Sequence, residues 1–292
     1  MKILKIFRSR FAITCRSFMV TTRHFMVTTR SITITTVLFA SFVFVRCQPD
    51  NVPMPNLEGR WELIEELSDE FNGDQLDTTK WFPNNPGWLG RQPAYFSKDN
   101  VTVGDGMLTL IARTEELKGL PEGYHTFTTA AVQSKARVKY GYFEIRCKPM
   151  NSRCSSAFWF YAIDPDIWTE IDVFEICGKH PDKEWEYKFF ATTHVFKTPE
   201  DGENHWADNE VWISPFRLAD DFITVGLEWN EKEIKWYLNE EVVRIRENTH
   251  WHQALTMNFD SETMPEWWGL PDPSDPTGYY RIDYIRSWKK LD

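Results

Sequence analysis

Cysteine is scarce in this chain of 292 residues: there are five, Cys15, Cys47, Cys147, Cys154 and Cys177. None stands at zinc-ligand spacing, which excludes a metal-stapled module. Cys147 and Cys154 could pair in an oxidising compartment, but a cysteine where strand runs into loop is more often a small buried apolar residue, the reading preferred here. Amphipathic helical periodicity of useful length is missing, which excludes helical bundles and α/β architectures. The apolar run Ile32 to Val45, ITITTVLFASFVFV, is too short for a comfortable membrane span. Positive charge is short beyond the amino terminus. Residues 1–47 hold eight Lys or Arg and no Asp or Glu, leaving 25 basic against 43 acidic residues in the remainder, about −18 where the whole chain carries −10. That balance argues against nucleic acid or an anionic membrane as partner and for a soluble secreted protein.

Behind a basic region, the Ile32 to Val45 run suits the core of a signal peptide, so export is expected. Residues 1–47 read as a leader, 48–58 (with Pro53 and Pro55) as a linker, and 59–292 as one domain of a length ordinary for a single all-β fold. Phe18-Met-Val-Thr-Thr-Arg23 recurs as Phe25-Met-Val-Thr-Thr-Arg30. Starting at Met19 or Met26 would give a leader of ordinary length, and no function attaches to the repeat. Cys47 stands where a bacterial lipoprotein carries its lipidated cysteine, although Arg46 fits that signal poorly. A lipid on Cys47 is the one membrane attachment the sequence suggests, with simple cleavage nearby as the alternative. No protein partner is implied.

What is abundant is short strand signal and tryptophan. Met107 to Ala112, Ala131 to Val138, Gly141 to Lys148 and Ala157 to Tyr161 read as strands. So do Phe189 to Phe196, Phe222 to Trp229, Ile234 to Leu238, Val242 to Ile245 and Leu255 onward. With turns at Gly104 to Gly106, Tyr140-Gly141 and Asn239-Glu240, they predict a β-sandwich, or jelly roll, of two antiparallel sheets with an open substrate cleft. Its 14 tryptophans suit sugar rings, whose apolar C–H faces stack on aromatics while their hydroxyls take carboxylates, amides and Arg.

The organising stretch is Trp168-Thr-Glu170-Ile-Asp172-Val-Phe-Glu175. On a strand, Glu170 and Asp172 share a face while Ile171 enters the packed layer. Glu175 breaks that parity, and only a β-bulge absorbing Val173 or Phe174 returns it to the same face. Three like charges there would hold at least one proton at neutral pH. That is the requirement of glycosidase chemistry, in which one carboxylate attacks and a carboxylic acid protonates the leaving oxygen. A charged edge strand is the bland alternative.

This pattern resembles the bulged signature of glycoside hydrolase family 16, and residues from about Trp61 to Trp288 look like one domain of that family, similar to its β-agarase and β-porphyranase group. By the resemblance, Glu170 is the nucleophile, Glu175 the general acid/base, and Asp172 the carboxylate that tunes protonation between them. The implied reaction retains configuration through a glycosyl-enzyme, needs no cofactor, and acts on a polysaccharide. The resemblance also implies sugar-binding roles for Trp88 and Arg91 in a breaker-rich loop, and for Trp159 and Trp168 on the central strands. It implies them too for His194, Glu262 and one of Trp267 or Trp268, only one of which would face the cleft if that segment is extended. Each aromatic could instead be core, and His194 could be structural. Some relatives bind a structural calcium near Ser68 to Gly73 and an Asp of the last strand, here Asp283; no metal is assigned. Porphyran is favoured slightly over agarose, which would require Arg91, Arg153 or Lys179 near the cleft to meet sulfate. The alternatives are κ-carrageenan or a β-glucan, a transglycosylase, and a non-catalytic carbohydrate-binding sandwich.

Overall fold

The computed structural model describes residues 56–291. The leader, the lipid site at Cys47 and linker residues 48–55 lie outside the described residues. Two antiparallel sheets form the domain. In spatial order, one contains Gly202–Ile213, Lys188–Thr198, Trp168–Ile176, Ser156–Ile163, Leu255–Ser261 and Phe127–Val138. The other contains Met107–Thr114, Gly278–Lys290, Gly141–Lys148, Ile223–Trp229, Glu233–Leu238 and Glu241–Glu247. They run together where Arg113 and Thr114 pair with Thr128 and Phe127. Among the described residues, helix is limited to three short 3-10 turns.

Alternation explains the layers. Phe158, Phe160 and Ala162 of one strand point inward and are buried, while Ala157, Trp159 and Tyr161 face the other way. The inward rings bridge the sheets: Phe160 lies 4.9 Å from Phe143, and Phe174 lies 6.4 Å from Tyr280. Cys147, Cys154 and Cys177 are buried free thiols, in keeping with the apolar reading of the cysteines. Asn239 and Glu240 both adopt positive φ, the backbone of a tight two-residue hairpin.

Gly202–Ile213 is a strand that the sequence pattern did not suggest. Trp206 and Trp212 pack against the core, but Asp208 and Glu210 between them meet Arg244, and Asp208 also meets Arg246. Ion pairs replace apolar burial along this edge, so period-2 hydrophobicity is lost.

Candidate active site

Cross-strand register locates the bulge. Trp159 pairs with Asp172 and Phe158 with Phe174, leaving Val173 without a partner. Val173 and Phe174 both enter the core, so two successive residues face inward and Glu175 returns to the face of Glu170 and Asp172. The same irregularity shows on the other side, where Thr192 pairs with Asp172 and Phe190 with Glu175. Bulges interrupt the ladder, and core indoles supply donors beneath this one. Nε1 of Trp236 donates to the Asp172 carbonyl at 3.1 Å, and Nε1 of Trp251 to those of Glu170 at 2.8 Å and His194 at 3.1 Å.

The exposed side of this sheet gathers five carboxyl groups: Glu170, Asp172, Glu175, Asp260 and Glu262. Burial, then the charge of Asp172, pushes Glu175 well above the usual carboxylate range, with Glu262 adding to the shift. Burial, Asp172 and Glu175 do the same to Glu170. Glu262 is pushed up to about 7 by burial, with Arg91 opposing. Burial and Glu262 raise Asp260. The row therefore holds protons at a pH where isolated carboxyls would have lost them.

His194, expected as a binding residue or a structural one, stands beside these carboxyls. Its Nε2 is 3.2 Å from Oδ2 of Asp172 and 3.9 Å from Oε1 of Glu170. Arg91 and Glu262, expected separately to bind sugar, are an ion pair at 2.8 Å, with the Arg91 side chain half exposed. Trp88 is half-buried, edge-on to Phe96 at 5.2 Å and to Trp159 at 6.4 Å. Trp159 is largely buried on the cleft floor, donating to Asp260 at 2.8 Å and stacking on Tyr161 at 4.7 Å. Trp168 stacks on Phe196 at 4.3 Å. Trp267 and Trp268 require a correction. The segment is not extended: the amides of Trp267, Trp268 and Gly269 all donate to the Met264 carbonyl, and the two rings stack at 4.6 Å. Trp268 is buried, its indole donating to the Arg153 carbonyl at 2.6 Å, and Trp267 is the one left partly exposed.

Several lining residues escaped the sequence reading. Tyr161 receives Gln133 Nε2 at 3.3 Å and donates to Asn85 at 3.1 Å, tying the Trp88 loop to the sheet. Thr263 fastens the same loop through the Arg91 carbonyl at 2.9 Å. Tyr161 and Asp260 were accessible by parity, two residues from Trp159 and Glu262 respectively. Near the opening segment, Asp283 pairs with Arg146 at 2.5 Å and Glu70 with Arg286 at 2.7 Å, while the Asp69 carboxylate accepts from the Phe71 amide and the Trp81 indole.

A sandwich with several buried, proton-holding carboxyls aligned in an aromatic cleft is the architecture of a glycoside hydrolase. Residues 61–290 match the family described as "Beta-porphyranase A-D, GH16 domain", and the chain belongs to glycoside hydrolase family 16. It is 31% identical over 272 residues to Beta-porphyranase D of Zobellia galactanivorans, covering 82% of this chain and 63% of that one. It is 32% identical over 258 residues to Beta-porphyranase E of the same organism, covering 80% and 89%. The crystal structure of porphyranase B from Zobellia galactanivorans superimposes with a TM-score of 0.72 at 24% identity, covering 82% of this chain and 98% of that one, a likeness of fold.

Proposed function

We propose that this protein is an exported, endo-acting, retaining hydrolase of β-1,4 galactosidic bonds in a red-algal galactan, with porphyran preferred to agarose. The observation that carries the reading is the bulge at Val173, which sets Glu170, Asp172 and Glu175 on one cleft face. Glu170 attacks the anomeric carbon as the carboxylate, with the His194 ring nearby. Glu175, raised by burial and by Asp172, gives its proton to the glycosidic oxygen. As a carboxylate it then takes a proton from the water that releases the glycosyl-enzyme, and two displacements preserve configuration. Trp88, Trp159, Trp168 and Trp267 offer ring faces or edges to sugars, and the Arg91–Glu262 pair offers charged hydrogen bonds to hydroxyls.

The porphyran preference rests on cations. Arg91 is matched by Glu262 and Lys179 by Asp275. Arg153 donates to the Leu270 carbonyl at 2.8 Å and, among the described residues, has no carboxylate partner, so its charge is available to a sulfate ester on the Trp267 side of the cleft.

Release of reducing ends from porphyran, agarose, κ-carrageenan and laminarin tests the reading. Porphyran-selective cleavage, weakened by Arg153→Ala, is expected. Agarose selectivity refutes the cation argument, and laminarin cleavage alone refutes the galactan assignment. Longer oligosaccharides among the products would mark a transglycosylase. Binding without turnover, unaffected by Glu170→Gln, would mark a carbohydrate-binding sandwich.

A further inference from the structure

The edge strand carries a histidine that the proposed reaction does not use. His205, on Gly202–Ile213, places its Nε2 3.1 Å from Nδ1 of His194. The ring centres are 5.4 Å apart and the planes 17° from parallel. With nitrogens closer than centres, the imidazoles meet edge to edge, the geometry of an N–H···N hydrogen bond. The opposite edge of His194 points at Asp172, Nε2 to Oδ2 at 3.2 Å. His205 is held by its face: it stacks on Phe196 at 4.3 Å and 4°, and Phe196 stacks on Trp168 at 4.3 Å and 21°.

A carboxylate only accepts, so Nε2 of His194 must carry a proton to bond Asp172. In a neutral imidazole Nδ1 is then an acceptor, and His205 can fill it by donating from its own Nε2. We propose that His205 is a positioning residue of the active site, bonding Nδ1 of His194 so that the Nε2–H of His194 is aimed at Asp172. The proposal rests on the catalytic assignment above and adds a reason for the edge strand to reach the site. The bond from His194 orients Asp172, whose charge helps to hold the Glu175 proton. Burial and the neighbouring His194 lower the affinity of His205 for a second proton, which suits a ring that donates once.

Long-range ¹H–¹⁵N spectra of the free enzyme report the tautomer without substrate. Nε2 of His194 should carry a proton; a neutral ring with its proton on Nδ1 overturns the proposal. His205→Phe keeps a ring to stack on Phe196 and removes the donor, while His205→Gln places an amide N–H where Nε2 stood. About a tenfold loss of kcat with KM unchanged is expected for His205→Phe, with most of it recovered in His205→Gln. Wild-type kcat in His205→Phe, or a Gln variant no better than Phe, overturns the role. Should His205→Phe fail to fold, the wild-type spectra still decide. If wild type cleaves none of the four polysaccharides, the substrate reading fails while the spectra continue to test the histidine pair.

Discussion

Glu175 and Asp260 stand on one face of the sheet with only Ala157 between them, because Ala157 is the register partner of both. A methyl side chain there leaves the two carboxyls no bulk to separate them. One oxygen of Asp260 accepts from Trp159, and the other is buried with no partner. Since burial raises Asp260, its ionised form weighs against folding, and the stability present at low pH is lost as pH rises through its folded pKa. Asp260→Asn keeps an oxygen for the Trp159 indole and removes the charge. It should stabilise the protein by about 1–2 kcal/mol at pH 8 and by much less at pH 4. Denaturant unfolding at both pH values checks this; equal effects at the two would refute it.

Glu262 sets a second window. Its folded pKa of about 7 lies above the ordinary value of 4.5, so its contribution is complete below about pH 4.5 and is lost as pH rises through about 7. A shift of that size corresponds to about 3 kcal/mol. Stability measured between pH 5 and 8 should therefore fall with rising pH, and Glu262→Gln should flatten the slope. A slope unchanged by the substitution would locate the titration elsewhere in the row.

The pH profile of turnover should depend on Asp172. A general acid works only while protonated, so activity falls on the alkaline side as Glu175 ionises. Asp172 contributes to the elevation of Glu175, and Asp172→Asn removes that charge. The alkaline limb of kcat/KM should then move to lower pH. Glu175→Gln, which cannot donate, should lose about 10²- to 10⁴-fold in rate. An unmoved alkaline limb in Asp172→Asn would separate Asp172 from the acid.

Much of this site is legible in sequence because strand geometry has a fixed period. Parity alone required a bulge to bring Glu175 beside Glu170 and Asp172, and register leaves Val173 as the extra residue. The sandwich followed from alternating strands and turn residues such as Asn239-Glu240. The edge strand was hidden because Asp208 and Glu210 pair with buried Arg244, a tertiary arrangement with no local hydrophobic signature, and His205 was hidden with it. The Arg91–Glu262 pair joins residues 171 positions apart, which local pattern cannot foresee. The segment around Trp267 is not extended because it turns at Pro265 and closes on the Met264 carbonyl at Gly269, whose φ is positive, so a proline–glycine signal was present in the sequence.

Because Val173 is the unpaired residue, deleting it should remove the bulge rather than shift the strand. The shortened sequence Glu-Ile-Asp-Phe-Glu alternates regularly and keeps all three carboxyls on the cleft face. Loss of a buried valine should cost about 2–4 kcal/mol, yet the variant should fold and keep measurable turnover. Deleting Ile171 instead puts Glu170 out of phase with Asp172, and a one-residue slip moves side chains to the opposite face. That variant should be inactive. Circular dichroism with reducing-end assays checks both, and equal inactivity of two folded variants would refute the bulge argument.

The adjacent tryptophans of the 264–271 loop should separate by experiment. Trp268 is buried and its indole holds the Arg153 carbonyl, so Trp268→Ala opens a cavity and frees a carbonyl, at a cost of about 3–5 kcal/mol. Trp267 lies against Phe190 at 4.6 Å, edge to face, with part of its ring in solvent. Because Phe190 is the register partner of Glu175, a sugar resting on Trp267 would lie at the Glu175 end of the row. Trp267→Ala should therefore raise KM for a long substrate several-fold while moving the melting temperature little, whereas Trp268→Ala should lower the melting temperature strongly. The reverse pattern would mean that Trp267, not Trp268, supports the loop, and would take the sugar platform away from this end of the cleft.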